Sequence, residues 1–324
     1  MATTADKLKA RFEAQFKEHE PLAKHVNFRI GGPAKYFVEA RSTQDLVDAV
    51  RIANEYSLPY FILGGGSNTL VADEGYQGLV IKAANRNLRI EGDRVTAEAG
   101  VIAATVARTS ADKGLRGLEW AISLPGTIGG AVRGNAGCFG GETKDNLESV
   151  KILRDGEVID VPVSDLHYGY RHSLLKEAGH EHEVVLEATF KLTLGDRIEA
   201  MAQIDKHLAG RKASQPLGSS SAGCMFKNYE FKTEDQILKI KGRIEVPEAM
   251  LAAKRIGAGW MIDQLGLKGT RLGEAQIAPQ HGNFLLNVGQ ATAKDILALI
   301  SFVKAKARDE FGVQLQEEVQ YLGF

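Results

Sequence analysis

The residues with the clearest potential for chemistry are the small ones of a glycine-rich segment that runs from Leu124 to Glu142. A stable helix is not expected there, because each glycine costs roughly 1 kcal/mol relative to alanine. Glycine permits positive φ angles and lets main-chain N–H groups come close to a large polar ligand. Successive N–H groups in such turns form concavities that bind anions. We therefore interpret the segment as a cradle for a phosphorylated cofactor; the alternative is a set of tight turns between strands.

A second glycine cluster, Gly64–Asn68, follows the apolar run Tyr60–Leu63, which has the character of a short buried strand. A strand that leads into a glycine-rich turn is a common way to hold dinucleotide phosphates. The Rossmann fingerprint is not met, because Thr69 stands where its third glycine belongs and residues 70–82 have the pattern of loop and strand. No Walker A sequence occurs in the chain. The pattern favours phosphate binding by a different fold.

The composition is that of an ordinary globular protein. The 324 residues are 44% hydrophobic and 25% charged, with a formal net charge of −1, so no charge pattern indicates binding to nucleic acid or to a membrane. The two cysteines, Cys138 and Cys224, exclude a disulfide scaffold or a zinc site and fit a reducing compartment. The N-terminal segment lacks a signal-peptide core, and no apolar run reaches membrane-spanning length. We expect a cytoplasmic protein without a bound metal.

Local patterns predict a mixture of helices and strands. A polar helix is predicted for residues 5–20, and a second helix starts at Ser42, with Asp45 three residues later. Strands are predicted at 35–40, 60–63, 79–82, 88–91, 95–99 and 183–194, and Asp155-Gly156 predicts a hairpin turn.

Further helices are predicted for residues 102–113, for 198–210 and after Thr292. The helix at 198–210 should bury a stripe formed by Ile198, Met201, Ile204 and Leu208. A final strand at 313–321 alternates cleanly and should bury Val313, Leu315, Val319 and Tyr321.

Seven stretches, in one order along the chain, resemble the UDP-N-acetylenolpyruvoylglucosamine reductases, which are flavoenzymes of peptidoglycan precursor synthesis. They extend from about residue 22 to residue 322, and the ordered set is far more specific than any one motif. The stretches are 27–32 (NFRIGG), Gly64–Asn68, Pro125–Glu142, 168–171 (YGYR), 221–228 (SAGCMFKN), 266–269 (GLKG) and Glu318-Val319.

The resemblance implies an α+β protein with the FAD-binding fold of the vanillyl-alcohol-oxidase-like type. FAD-binding subdomain 1 is expected at residues 1–82, and FAD-binding subdomain 2 at 83–210 together with a C-terminal strand at 308–324. A third α+β domain, for substrate binding, is expected at 211–307. The resemblance further implies FAD and NADPH as cofactors, UDP-N-acetylglucosamine enolpyruvate as substrate, and a monomer. Hydride would pass from flavin N5 to the vinyl methylene carbon, and an acid would protonate the neighbouring carbon to give UDP-N-acetylmuramate.

The resemblance also assigns the flavin to the two glycine-rich segments. The residues expected to bind the cofactor are Gly64, Gly65, Gly66, Ser67, Asn68, Pro125, Gly126, Thr127, Gly129, Gly130, Asn135 and Gly137.

Three residues match the catalytic positions of the family. Cys224 stands where the family carries its proton donor, commonly serine, and a thiol with a pKa of about 8.5 is a better acid than a hydroxyl; otherwise it is a small buried residue. Arg171 would stabilise the charge that develops on the substrate carboxylate, or it is a solvated arginine. Glu318 would act with Arg171, and Glu317 is the alternative if the strand register differs by one residue.

The expected substrate-binding residues are Tyr170, Arg211, Lys227 and Asn228. Tyr170 would flank the substrate, or it is an ordinary half-buried tyrosine. Arg211, Lys227 and Asn228 would contact the diphosphate or the uracil of the UDP moiety, or Lys227 is a surface lysine. The chain departs from the family pattern in having Tyr229 and some two dozen further residues after Asn228, and Gln320 where an arginine is common. The short span from Arg171 to Cys224 resembles the subclass without an extra tyrosine-bearing loop. Two other interpretations stay open: a flavin oxidase of the same fold acting on another alcohol or sugar, and a nucleotide-binding module without catalysis.

Overall fold

The structure is a computed structural model that describes residues 3–216 and 218–324. The chain forms two compact units. The first comprises the residues up to Glu20, Ala34–Gly66 and Tyr76–Ala213, and the second comprises Pro21–Pro33, Ser67–Gly75 and Ser214–Phe324. Neither unit is therefore one continuous stretch of sequence.

The α-helices are α1 (Thr4–Phe12), α2 (Thr43–Glu55), α3 (Ala103–Asp112), α4 (Ile128–Gly134), α5 (Arg197–Ser214), α6 (Leu238–Lys241), α7 (Glu248–Ala252), α8 (Ala258–Gln264) and α9 (Ala293–Phe311). The strands are β1 (Phe16–Pro21), β2 (Pro33–Ala40), β3 (Tyr60–Leu63), β4 (Thr69–Val71), β5 (Tyr76–Ala83), β6 (Leu88–Glu91), β7 (Arg94–Glu98), β8 (Leu115–Arg116), β9 (Gly137–Cys138), β10 (Gly141–Glu142), β11 (Leu147–Arg154), β12 (Glu157–Pro162), β13 (Val184–Lys191), β14 (Thr193–Leu194), β15 (Tyr229–Glu230), β16 (Arg255–Ile256), β17 (Arg271–Leu272), β18 (Ala275–Ile277), β19 (Leu285–Asn287) and β20 (Gln320–Leu322).

The first unit contains a four-stranded sheet with the order β1-β2-β5-β3, in which β2, β5 and β3 are parallel. Helix α2 begins at the predicted capping box, where the Ser42 hydroxyl accepts from Asp45 N and the Asp45 carboxylate accepts from Ser42 N. Its buried face packs with Leu79 and Ile81 of β5 in one core. This packing fixes the carboxyl end of β3, from which the first glycine turn departs.

A second sheet of the first unit is antiparallel, with the order β12-β11-β13-β7-β6. The predicted hairpin turn joins β11 and β12, and Asp155 (φ 49°) and Gly156 (φ 83°) both have the positive φ angles of a type I′ turn. The parallel and antiparallel sheets together with the helices confirm the predicted α+β class.

Helix α4 corrects the expectation that the glycine-rich segment forms no helix. It starts just after Thr127 and contains Gly129 and Gly130 in its first turn. A Cβ atom on Gly129 would lie 3.0 Å from the Cβ of Ala99, so the helix approaches the residue that follows β7 more closely than a larger residue would permit. Burial of Ile128 and Val132 stabilises the helix. Tertiary packing therefore outweighs the low helix propensity of glycine.

Two other local predictions differ from the structure. The predicted N-terminal helix ends at Phe12, and residues 16–21 instead form β1, where the ring of Phe16 lies 5.9 Å from that of Tyr36. On α5 the predicted stripe is only partly buried, since Ile204 is inaccessible but Ile198 is 76% exposed. Ile204 packs in a small cluster with Ala111 and Ala200, which is too narrow to cover the whole stripe.

The second unit is built around α9, which begins after Thr292 as predicted, with a capping box between Thr292 and Asp295. Its apolar face packs with the three-stranded sheet β17-β18-β19 and with the segment that follows Ala222. The residues after Tyr229 contain α6 and α7 and are closed at their base by a short ladder, because β15 pairs with β16 through Tyr229 and Ile256. The two dozen intervening residues thus begin and end at neighbouring points, and Phe231 and Ile240 anchor them in the core.

The end of the chain also differs from the prediction. Residues 308–311 close α9, and the terminal strand β20 is short and pairs in parallel with β4. Both strands lie in the second unit, and the expected grouping of residues 308–324 with FAD-binding subdomain 2 stays a prediction. Val313, Leu315 and Val319 are buried as expected, but Tyr321 is 38% exposed, because the alternation shifts and Leu322 is buried instead. The division into three domains stays a prediction.

Candidate active site

The two glycine turns that were predicted to hold a cofactor meet within the first unit. A Cβ atom on Gly65 would lie 2.6 Å from the Cα of Gly126, and one on Gly64 would lie 2.5 Å from Thr127 Oγ1. Gly126 itself has a φ of 106°, which residues with side chains rarely adopt. The turns therefore touch main chain to main chain, and only glycine permits this contact.

Thr127 is the buried polar group beside these turns. The residue is 8% exposed, and its hydroxyl has no hydrogen-bond partner among the residues that the structure describes. It precedes α4 as the N-cap residue but makes no side-chain capping bond. A buried hydroxyl without a partner is costly, so its position beside two close glycine turns fits a phosphate-bearing cofactor.

Asn135 ends α4 and links the glycine-rich segment to its surroundings. It is fully buried in the left-handed conformation, with φ 41° and ψ 54°. Its Nδ2 donates to Glu142 Oε2 at 2.6 Å and to Gly169 O at 2.9 Å, while its Oδ1 accepts from Lys144 N at 3.1 Å. These bonds give Asn135 a structural part in shaping the cradle; direct contact with the cofactor stays a prediction.

Arg171 lies at the tip of a two-residue turn. Gly169 and His172 exchange both main-chain hydrogen bonds at 3.2 Å, which leaves Tyr170 and Arg171 at the tip. Arg171 has a φ of 53°, and its Nη2 donates to Gly137 O at 2.9 Å. Its guanidinium carbon lies 5.6 Å from the centre of the Tyr170 ring. The turn therefore holds the guanidinium against the glycine-rich segment of the same unit.

Cys138 lies near the side chains of two arginines predicted to act on the substrate, Arg171 and Arg211. Its thiol donates to Trp120 O at 3.3 Å, as expected for a packing residue. Burial raises the pKa of this thiol, and the Ser123 hydroxyl and the charges of Arg211 and Arg171 oppose the rise. Both guanidinium groups are thus near the β9–β10 hairpin, which gives the first unit a local positive charge suited to an anionic ligand.

Cys224 lies in an extended segment of the second unit that is bonded on both sides. On one side Cys224 forms an antiparallel bridge with Phe284, and Met225 N donates to Asn283 O at 2.7 Å. On the other side Met225 O accepts from Glu318 N at 2.8 Å. The backbone of Glu318 is therefore bonded to the residue that follows Cys224, and the structure brings these two predicted catalytic residues together.

The main chain around Glu318 is held by Asn68, and the neighbouring Glu317 makes an ion pair. Asn68 Nδ2 donates to Glu318 O at 3.0 Å, and Asn68 O accepts from Gln320 N at 2.9 Å. Glu317, the alternative in a shifted register, pairs with Lys304 at 2.8 Å. This ion pair gives Glu317 a structural role, and the choice of Glu318 as the functional carboxylate stays a prediction.

The remaining predicted substrate ligands lie in the same extended segment as Cys224. Lys227 N donates to Gln316 O at 2.8 Å. The main chain of Lys227 thus continues the pairing between the Cys224 segment and the segment that leads to Glu318. Asn228 Oδ1 accepts from Ala258 N at 3.1 Å and thereby fixes the start of α8. Contact of either residue with a substrate stays a prediction.

Asn283 was not identified from the sequence. It is 3% exposed, and its carboxamide bonds to both main-chain groups of Phe226, at 2.9 Å to N and 2.8 Å to O. No local signal in the sequence distinguishes it from other loop asparagines, because its partners lie 57 positions earlier.

No described helix is long and apolar enough to cross a membrane. Within residues 3–216 and 218–324, the His, Cys, Asp and Glu side chains form no group of three that could hold a metal ion.

Comparison with known proteins agrees with this geometry. Residues 34–162 match the FAD binding domain family, and residues 215–322 match the C-terminal domain family of UDP-N-acetylenolpyruvoylglucosamine reductase. The fold and the paired glycine turns thus define a protein with an FAD-binding domain.

Relatives cover nearly the whole chain. A UDP-N-acetylenolpyruvoylglucosamine reductase of Clostridium novyi is 37% identical over 95% of this chain and 92% of the relative. One from Chloroflexus aggregans is 37% identical over 97% of this chain and 100% of the relative. The crystal structure of the Thermus caldophilus enzyme is 32% identical, has a TM-score of 0.74, and is matched over 95% of this chain and 98% of that one. The chain belongs to the UDP-N-acetylenolpyruvoylglucosamine reductase family, which supports the reductase interpretation over the oxidase.

Proposed function

We propose that this protein is an FAD-containing reductase that uses NADPH to convert UDP-N-acetylglucosamine enolpyruvate into UDP-N-acetylmuramate, a step of peptidoglycan precursor synthesis. Membership of the family along nearly the whole chain supports the overall reaction. The observation that carries the catalytic assignment is the bond from Glu318 N to Met225 O, which makes Cys224 and Glu318 neighbours across two extended segments.

The cofactor would be held by the turns at Gly64–Gly66 and Gly126-Thr127. Their main chains approach each other without side chains between them, and the Thr127 hydroxyl offers a donor with no protein partner in the described chain. When bound, FAD supplies the carrier that takes hydride from NADPH and passes it to the substrate.

Cys224 is proposed as the proton donor. Hydride addition to the vinyl methylene carbon moves the electron pair of the double bond onto the neighbouring carbon and its carboxylate. The Cys224 S–H group gives its proton to that carbon, which completes the lactyl ether, and the resulting thiolate regains a proton from solvent. A positioned acid of this kind contributes roughly 10²- to 10⁴-fold to the rate.

Arg171 is proposed to stabilise the negative charge that develops on the substrate carboxylate in this step, and Glu318 is proposed to act with it. The turn that carries Arg171 fixes its guanidinium before substrate binds, and a preorganised cation is most effective where negative charge develops. Tyr170 is proposed to flank the substrate, and Arg211, Lys227 and Asn228 are proposed to bind the UDP moiety; the positive charge of Arg211 near the β9–β10 hairpin suits its diphosphate.

The proposal is tested by titrating the purified protein under anaerobic conditions, first with NADPH and then with UDP-N-acetylglucosamine enolpyruvate. NADPH should bleach the flavin absorbance near 450 nm, and the UDP-sugar should restore it. Cys224→Ala should leave bleaching nearly unchanged and slow the recovery at least 100-fold, whereas Cys138→Ala, the matched control, should keep both steps. A colourless protein that takes up no FAD would contradict the function, and equal loss of both steps in Cys224→Ala would contradict the proton-donor role.

A further inference from the structure

The segment that carries Cys224 depends on one buried side chain for much of its support. The main-chain N–H of Phe226 donates to Asn283 Oδ1 at 2.9 Å, and the Phe226 carbonyl accepts from Asn283 Nδ2 at 2.8 Å. A carboxamide used in this way replaces the peptide group that a neighbouring strand would otherwise provide. Asn283 is 3% exposed, so water does not compete for these bonds.

The main chain of Asn283 extends the same contact toward Cys224. Its carbonyl accepts from Met225 N at 2.7 Å, and Phe284, the next residue, forms the bridge with Cys224. Met225 O in turn accepts from Glu318 N at 2.8 Å. Asn283 is therefore linked through Met225 to both proposed catalytic residues of this unit.

The loop that presents Asn283 is itself fixed. Asn283 N donates to His281 Nδ1 at 3.2 Å, which requires that nitrogen to be unprotonated, and burial lowers the pKa of His281. The His281 ring packs edge-on against Phe284, with ring centres 4.9 Å apart. The His281 ring thus supports the loop that presents Asn283 through one hydrogen bond and one T-shaped contact.

We infer that Asn283 is a positioning residue for Cys224. Its carboxamide bonds both main-chain groups of Phe226, and this fixes the segment that places the Cys224 thiol for proton transfer. The same segment holds the backbone of Glu318. The inference rests on the proposed function of Cys224. Transfer of a proton to carbon depends on a donor held within a narrow distance, and a displacement of about 1 Å costs on the order of 100-fold in rate.

The test is a double-mutant cycle on the FAD-loaded protein. Asn283→Asp keeps the acceptor for Phe226 N but replaces the Nδ2 donor with a carboxylate oxygen that repels Phe226 O. Flavin reduction by NADPH should change less than about 3-fold, while reoxidation by the UDP-sugar should slow about 100-fold. In a Cys224→Ala background the same substitution should have an effect below about 3-fold, because residues that act through one another are not additive.

Asn287→Asp provides a matched control in the same hairpin. Asn287 also bonds main chain through its carboxamide, with Nδ2 donating to Phe28 O at 3.0 Å and Oδ1 accepting from Gly289 N at 3.1 Å, and neither of these bonds involves residues 221–228 around Cys224. Asn287→Asp should lower the thermal stability about as much as Asn283→Asp does. Its effect on reoxidation should show no coupling with Cys224→Ala. If Asn283→Asp does not fold, Asn283→Ser, which is smaller and uncharged, enters the same cycle.

The outcomes separate the two ideas. A wild-type protein whose reduced flavin is not reoxidised by the UDP-sugar would count against the proposed function. A wild-type protein that reacts normally, with Asn283 variants slowed by the same factor in both backgrounds or slowed equally in flavin reduction, would overturn the positioning role alone.

Discussion

Replacing Thr127 with valine should change the stability of the apoprotein and its affinity for FAD in opposite directions. The Thr127 hydroxyl is buried, has no hydrogen-bond partner in the described part of the chain and does not cap α4. Such a group carries a desolvation cost of about 1–3 kcal/mol. Thr127→Val removes this cost, so the apoprotein should be as stable as the wild type or more stable by about 1 kcal/mol.

The same substitution should weaken FAD binding. A hydroxyl that donates to a charged phosphate contributes about 1.5–3 kcal/mol, which corresponds to a roughly 10- to 150-fold increase in Kd. The stabilisation gained on adding FAD should fall by the same free energy. Urea unfolding of the deflavinated protein gives the first quantity, and fluorescence titration with FAD gives the second.

Thr143→Val is the matched control for this prediction. The Thr143 hydroxyl is also buried but donates to Ala136 O at 2.8 Å, so Thr143→Val removes a hydrogen bond that the protein makes and should destabilise the apoprotein by about 1 kcal/mol. The reasoning would be refuted if Thr127→Val destabilised the apoprotein as much as Thr143→Val and left the FAD Kd unchanged.

Three further predictions concern the glycine turn, the charged groups and pH. Gly65→Ala should prevent flavin retention, measured as the ratio of 450 to 280 nm absorbance, because its Cβ would lie 2.6 Å from the Cα of Gly126; full retention would contradict the close contact. Arg171→Ala should slow reoxidation by the UDP-sugar by at least about 100-fold and leave flavin reduction unchanged; unchanged turnover would remove it from the site. Burial, with Arg86 nearby, lowers the pKa of Lys82 to about 8. The unfolded chain therefore binds more protons than the folded one between about pH 8 and 10.5, and stability rises with pH across that window. Lys82→Met should be more stable than the wild type at pH 7, by at most about 3 kcal/mol, and urea unfolding should show this advantage vanish by about pH 10.5; an advantage that does not depend on pH would contradict the assignment.

Elements with local signals could be predicted from the sequence. The capping boxes at Ser42 and Thr292 and the turn at Asp155-Gly156 involve residues within three positions of one another, and the structure has them as expected. The helix at 128–134 was missed because its stability comes from burial of Ile128 and Val132 in the core of the first unit, which no local pattern reveals.

In the candidate site, too, features with a local sequence signal could be predicted, whereas features that depend on contacts distant in sequence could not. The glycine turns could be recognised from composition, but their contact through Gly65 and Gly126 joins segments some sixty residues apart. The neighbourhood of Cys224 and Glu318 depends on a ladder between the residues after Ala222 and those before Val319. Asn283 was missed for the same reason, since it acts on main-chain groups that are distant in sequence.

The pairing of β4 with β20 affects how the chain folds during its synthesis. Asn68, just before β4, bonds to Glu318, which is 250 positions later. At roughly 5–20 residues per second, β4 must wait about 12–50 s on the ribosome before its partner exists. A chaperone that shields Thr69–Val71 during this interval should therefore raise the yield of native protein, and a fully synthesised chain refolding from urea should not need it.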